Sequence, residues 1–191
     1  TPLPALVQLK CAEGFYKGVA GVRIQGTVSL FVKDNVKYRF VASDQGEIQL
    51  TAYGISGIPV FQVSRYAAKA LHEGRKVVAR MDFMPELSQD ALVEYFTRRG
   101  LKRPQKKAED FLTGMFPAKL NTLWLRQCDI ERADMAGDLP SKKLQALAGA
   151  IKRFETNVVA TNSYEHAQVC CGGVDTREVN QDTLESRLVP G

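Results

Sequence analysis

The chain has 191 residues, 45% hydrophobic and 25% charged, with 26 Lys and Arg against 21 Asp and Glu for a net charge of +5. Such a composition suits one globular domain or two small ones, burying about 70% of the unfolded surface, and excludes a disordered, collagen-like or disulfide-stapled chain. No apolar run reaches the roughly 20 residues a membrane-spanning helix needs, and no charged-then-apolar signal pattern opens the chain, so a soluble cytoplasmic protein with no membrane partner is expected.

From Val22 apolar residues fall on alternate positions, Val22, Ile24, Val28, Leu30 and Val32, with Arg23, Gln25, Thr27, Ser29 and Lys33 between them. This is the period of a half-buried strand. Asp34-Asn35 supplies a turn, and Val36, Tyr38 and Phe40 resume the alternation, which predicts a β-hairpin. A second turn is predicted at Ser43-Asp44-Gln45-Gly46, leading to a third strand through Ile48 and Leu50 of an antiparallel meander. After a glycine-rich turn, Tyr53-Gly54-Ile55-Ser56-Gly57, the period becomes helical through Val60, Val63, Ala67, Ala70 and Leu71, with Ser56 as candidate cap and Gly74 as terminator.

Strand character returns over Lys76 to Phe83. From Met84 to Arg153 only helices are predicted: one capped by Ser88, shorter ones around Phe111 and from Leu120 to Leu125, and one opening at Ser141. Strands resume in Phe154 to Thr161 and Ala167 to Cys171. The predicted architecture is α+β: residues 1–84 and 154–191 form an antiparallel β-barrel-like domain, and 85–153 an inserted α-helical bundle.

Cys11, Cys128, Cys170 and Cys171 show no CxxC spacing, and His72 and His166 have no ligand-spaced partner, so no metal site is expected. Neighbouring strand residues point to opposite faces, which opposes a bond between Cys170 and Cys171. Arg98, Arg99, Lys102, Arg103, Lys106 and Lys107 place six cations in ten residues without an acid, so the charge excess is a local patch. It could meet phosphates by counterion release, but no phosphate-binding loop accompanies it and no aromatic residue interleaves with it. Gly54-Ile55-Ser56-Gly57 lacks the spacing of a nucleophile elbow, and no Gly-x-Gly-x-x-Gly follows a strand, so this chain does not hold a dinucleotide by the Rossmann device.

Gly46-Glu47-Ile48-Gln49-Leu50-Thr51-Ala52-Tyr53-Gly54-Ile55-Ser56-Gly57 followed by Pro59, and Ala167-Gln168-Val169-Cys170-Cys171-Gly172-Gly173-Val174 followed by Glu178-Val179-Asn180 and Leu184-Glu185-Ser186, resemble segments of one family. With the opening Pro4-Ala5-Leu6-Val7 and the ending Val189-Pro190-Gly191, the chain is similar throughout to the BaiN/YhiN-like, or aminoacetone-oxidase-like, NAD(P)/FAD-dependent oxidoreductase flavoproteins. The resemblance implies an insert region excised from a flavoprotein, without its FAD-binding Rossmann segments; residue 1 being Thr agrees with that expectation. It implies a barrel of the reductase and elongation-factor type carrying a helical bundle.

By this resemblance FAD, with NAD(P)H as a candidate second cofactor, belongs to the full-length parent and neither to this fragment. Gly172, Gly173 and Val174 would be the cofactor-binding residues in the parent, and Tyr53, Gly54, Ile55, Ser56, Gly57 and Cys171 would lie on the substrate side; no catalytic residue is assigned. Ala52 stands where many members have His, and Pro59 is displaced by one position, so the resemblance carries no His-based chemistry to that turn. The expected partners are the missing FAD-binding domain and a small-molecule substrate of unknown identity, with nucleic acid not expected as a partner and the flavin performing hydride transfer. Two rival readings are a nucleic-acid or protein-partner binding module using residues 98–107, and an independent enzyme with Cys171 as nucleophile or redox thiol and His166 as base.

Overall fold

The computed structural model describes residues 1–189; Pro190 and Gly191, part of the terminal Val189-Pro190-Gly191 resemblance, lie outside the described residues. Its strands are β1 (Leu3–Ala5), β2 (Leu9–Cys11), β3 (Arg23–Lys33), β4 (Tyr38–Thr51), β5 (Gly54–Gly57), β6 (Val77–Asp82), β7 (Phe154–Thr161) and β8 (Val169–Cys171). Its helices are α1 (Tyr16–Val19), α2 (Ile58–His72), α3 (Gln89–Lys102), α4 (Ala118–Gln127) and α5 (Ser141–Lys152). Six strands close an antiparallel barrel in the order β2-β5-β4-β3-β6-β7. The α+β class and the β-barrel are as expected.

The barrel interior follows from the two-residue period: Val28, Leu30 and Val32 of β3 meet Val77, Ala79 and Met81 of β6 and Phe154 and Val158 of β7, all buried. α2 packs its Val60, Val63, Ala67 and Ala70 stripe on the same core. Ser64, buried on that helix, accepts from the Val7 amide at 3.3 Å and donates to the Phe61 carbonyl at 2.7 Å, so its hydroxyl is satisfied on both sides.

Three local expectations are corrected. The turn predicted at Ser43 to Gly46 does not form: β4 runs unbroken through it, with Ser43, Asp44, Gln45 and Gly46 paired to Ser29, Val28, Thr27 and Gly26. Gly46, one of the residues that signalled a turn, serves close approach instead, as does Gly26 paired to it. A Cβ on Gly26 would stand 2.6 Å from the Asp82 carbonyl oxygen, and one on Gly46 3.3 Å from Pro59. A register shift after Leu30 leaves Val41 as the extra residue of a bulge, which lets this long pair twist around the barrel.

Secondly, Gly54 to Gly57 is a barrel strand rather than a turn, and Ser56 is buried in it instead of capping α2; Gly57 holds the cap position with φ 104°. A Cβ on Gly54 would come within 2.3 Å of the Leu9 carbonyl oxygen, and one on Gly57 within 2.2 Å of that of Glu47, so two glycines let β5 fit between β2 and β4. Thirdly, β8 does not join the barrel. It pairs with β1, Leu3 opposite Cys171 and Ala5 opposite Val169, in a separate two-stranded sheet. Short β1, β2 and α1 carry too few residues for a periodic signal.

The segment from Met84 to Arg153 holds α3, α4 and α5 joined by turns and irregular chain, with no strand among its described residues beyond one isolated bridge, Lys107 to Met135. Ser88 caps α3 by accepting from the Ala91 amide at 3.1 Å, as its position predicts. Phe83 joins this block to the barrel, its ring 5.5 Å from Trp124 of α4 and 5.7 Å from Phe154 of β7.

Candidate functional site

β8 ends in Cys171 and continues into two glycines with positive φ, 88° at Gly172 and 149° at Gly173. A Cβ on Gly172 would lie 2.8 Å from the Thr1 carbonyl oxygen, so this glycine lets the turn close over the N-terminus. Around Gly173 the space is open: nothing stands within 4 Å of the position a Cβ would take. Val174 follows with 77% of its surface exposed. The result is a bare stretch of backbone beside an exposed apolar side chain, the type of surface on which a flat ring can lie.

Next to it, Ala5 and Leu6 from the β1 end, Phe61, Gln62 and Arg65 from α2, and Val169, Cys170 and Cys171 from β8 line a pocket of about 410 Å³. Leu6 has φ 49°, an uncommon conformation for a branched residue that redirects the chain between β1 and β2. Arg65 stacks over the Tyr66 ring at 4.8 Å and donates to its hydroxyl at 2.8 Å, which fixes a cation at the pocket mouth. Phe61, Gln62 and Arg65 are the site residues that sequence reasoning missed. The available signal was their place on the face of α2 opposite the buried Val60, Val63 and Ala67 stripe.

Tyr53 lies elsewhere. Its carbonyl accepts from the Cys11 amide at 2.9 Å, at the end of β5 remote from Gly57 and α2. Tyr53 is 41% exposed, whereas Gly54, Ile55 and Ser56 are buried. Among the described residues no hydrogen bond, strand pairing or shared pocket joins Tyr53 to Gly172, Gly173 or Val174. β5 and α2 connect the two regions covalently, through Gly57.

Below Tyr53 sits a polar cluster. Glu13 accepts from the Asn157 amide at 2.8 Å and its side-chain amide at 2.9 Å, and from the Thr156 hydroxyl. Burial pushes the Cys11 thiol up from its ordinary range, and pushes the Tyr16 hydroxyl up more strongly. Both are therefore protonated at neutral pH, which suits packing rather than nucleophilic chemistry. His166, offered above as a base for Cys171, has its Nδ1 3.0 Å from Ser163 Oγ. Among the described residues no group of three or more His, Cys, Asp or Glu is placed to hold a metal ion, and no helix is long and apolar enough to cross a membrane.

Comparison with known proteins places this geometry. The family described as "HI0933-like protein barrel and H2TH domain" matches residues 3–169. The chain is 42% identical over 189 residues to a 3-dehydro-bile acid delta(4,6)-reductase from Clostridium scindens, covering 99% of this chain and 45% of the relative. It is 26% identical over 145 residues to a ribosomal RNA dihydrouridine synthase from Haemophilus influenzae, covering 76% of this chain and 34% of that protein. A ribosomal RNA dihydrouridine synthase from Escherichia coli is 27% identical over 149 residues, 74% of this chain and 33% of the relative. The chain thus spans less than half the length of these relatives. With the match covering barrel and helical block alike, the chain belongs to the HI0933-like family of flavoprotein oxidoreductases and carries its barrel and H2TH domain.

Proposed function

We propose that this chain is the substrate-side insert domain of an FAD-dependent, NAD(P)H-linked cytoplasmic reductase, and that it is not catalytic alone. The observation that carries this reading is the near full-length 42% identity to a reductase of which the chain makes up only 45%. The remaining length of such a parent is where an FAD-binding domain would sit, and that domain is this chain's main partner. The second partner is a small molecule, which the parent reduces.

The β8 turn fits a flavin edge. Gly173 leaves its backbone uncovered, Gly172 holds the turn against the N-terminus, and Val174 offers an exposed apolar contact. These three residues would touch the cofactor, which supplies hydride transfer when bound. What this chain contributes is shape and exclusion of water: Cys171 and the β1–β8–α2 pocket wall one side, and the fixed Arg65 guanidinium orients an anionic or polar substrate group. On the Tyr53 to Gly57 segment, the exposed Tyr53 is the side chain available to a substrate, with Gly54, Ile55, Ser56 and Gly57 supporting it as a packed strand.

Val174→Asp in the full-length protein tests the placement. Because Val174 is exposed, the variant leaves the isolated chain's urea midpoint unchanged; in the parent it sets an unpaired charge against the cofactor and weakens FAD binding roughly tenfold or more. Unchanged FAD affinity in the full-length variant would refute the contact.

A further inference from the structure

We propose that the open edge of β4 and the α2 face beside it form a docking groove for an extended segment of a partner protein, which adds to β4 as a further strand and sets a basic side chain against Asp44. Gln62 and Arg65 of α2 border both this groove and the β8 pocket. No residue of the β8 turn takes part, so the groove stands without the flavin reading.

β4 is 14 residues long, yet only residues 48–51 of it pair with β5. β5 leaves the barrel wall at Gly57 and becomes α2, so strand and helix diverge from a close approach where a Cβ on Gly46 would stand 3.3 Å from Pro59. The wedge between them is a groove of about 520 Å³, lined by residues 40–44 of β4 and by Gln62, Val63, Arg65 and Tyr66 of α2. Among the described residues no backbone hydrogen bond crosses it.

The direction of the free backbone groups follows from Leu50. Its amide donates to the Val22 carbonyl and its carbonyl accepts from the Gly21 amide, both at 2.9 Å, so at Leu50 the main chain faces the β3 side. Antiparallel ladders alternate this direction residue by residue. Ile48, Gly46 and Asp44 thus also face β3, while Gln49, Glu47, Gln45 and Ser43 face away. The approach of β5 agrees: a Cβ on Gly57 would meet the Glu47 carbonyl oxygen at 2.2 Å and the Gln49 nitrogen at 3.2 Å. Ser43 and Gln45 therefore present two amides and two carbonyls to the groove, where no strand receives them. Such an edge is a template for a further strand, and one that lies beside a helix admits a single extended segment. A second copy's β4 is flanked by its own β3 and α2, and that bulk keeps it out of the wedge.

Side-chain chemistry narrows the partner. Ala42 and Asp44 stand opposite Leu30 and Val28, so they lie on the core side of β4, which α2 covers. Arg65, the cation lining the groove, is engaged by the Tyr66 ring and hydroxyl. Asp44 enters no ion pair among the described residues. A Lys or Arg arriving on the added strand supplies its counter-charge as a cross-strand pair. At the wide end Phe40, 60% exposed, offers an apolar contact beside Val41. The partner so defined is an extended segment carrying a basic residue and a β-branched or aromatic one.

Fluorescence anisotropy of a labelled, capped peptide of alternating threonine and valine with one central lysine, added to the whole chain, tests the proposal. Saturable binding is expected. Two forms of the peptide, N-methylated on opposite sets of alternate amides, are expected to differ roughly tenfold in affinity, because only one set faces β4. Ser43→Pro removes an amide that bonds no strand, so the urea midpoint holds while binding falls about fivefold. Asp44→Asn weakens binding about threefold for the lysine peptide and leaves its glutamine form unaffected. The groove is overturned if the peptide does not bind at millimolar concentration, if both methylated forms bind alike, or if a folded Ser43→Pro binds as the wild type does. Should Ser43→Pro fail to fold, the methylated pair decides, since it leaves the protein unaltered. A wild-type dimer in sedimentation that Ser43→Pro converts to monomer also overturns the proposal, and assigns the edge to a second copy.

Discussion

Glu13 shows how one residue can close a barrel invisibly. Burial tends to raise its carboxyl, but donors from the Thr156 hydroxyl and from the Asn157 amide and side chain outweigh it and hold the group below its ordinary range. A carboxyl depressed in the folded state adds stability above its unfolded value, about 4.3, and loses it as pH falls through the folded value. Glu13→Gln is therefore expected to cost about 1 kcal/mol at neutral pH, a figure reduced for partial exposure, and to flatten the fall in stability below about pH 4.3. Urea midpoints measured between neutral and acid pH check this; acid limbs that stay parallel in the two proteins contradict it. Glu13 was not legible in the sequence because its partners lie 143 and 144 positions away. The same limit applies to Gly26, Gly46, Gly54 and Gly57, whose neighbours across the barrel, not their local sequence, decide whether a glycine marks a turn or a close contact.

At the level of elements, periodicity was a good guide where an element is long and one-sided. β3, β7, α2 and the Ser88-capped α3 stand where their patterns put them, because each buries one face on the shared core. It failed at β4, where turn-forming residues are overruled by pairing to β3 along the whole strand, and at β8, whose three residues pair outside the barrel. Between barrel and helical block the contact is aromatic: Phe83 touches both Trp124 and Phe154, and Trp124 also meets Phe116 at 5.0 Å. Since Trp124 is the single tryptophan, its fluorescence reports the helical block alone. Wild-type urea unfolding is expected to give coincident fluorescence and far-ultraviolet dichroism transitions, whereas Phe83→Ala, costing about 3 kcal/mol, shifts the fluorescence transition to lower urea. Transitions already separate in the wild type would contradict the shared core.

For the whole molecule, the sequence carried the family and the barrel, while the candidate site was only half legible. The Gly172-Gly173 turn was visible as adjacent glycines after a strand; Phe61, Gln62 and Arg65 were not, since their importance arises only when β8 leaves the barrel to pair with β1 beside α2. The basic segment was equally plain as charge, but that it shares a cleft with Tyr95 and Phe111 was not, since only folding brings these rings beside it. The central claim is that this chain walls a flavin it does not hold by itself. Its most direct test is flavin absorbance after incubation with FAD and desalting, for the isolated chain and for the full-length protein. The full-length protein is expected to stay yellow and the isolated chain colourless; a full-length protein that retains no FAD would contradict the account.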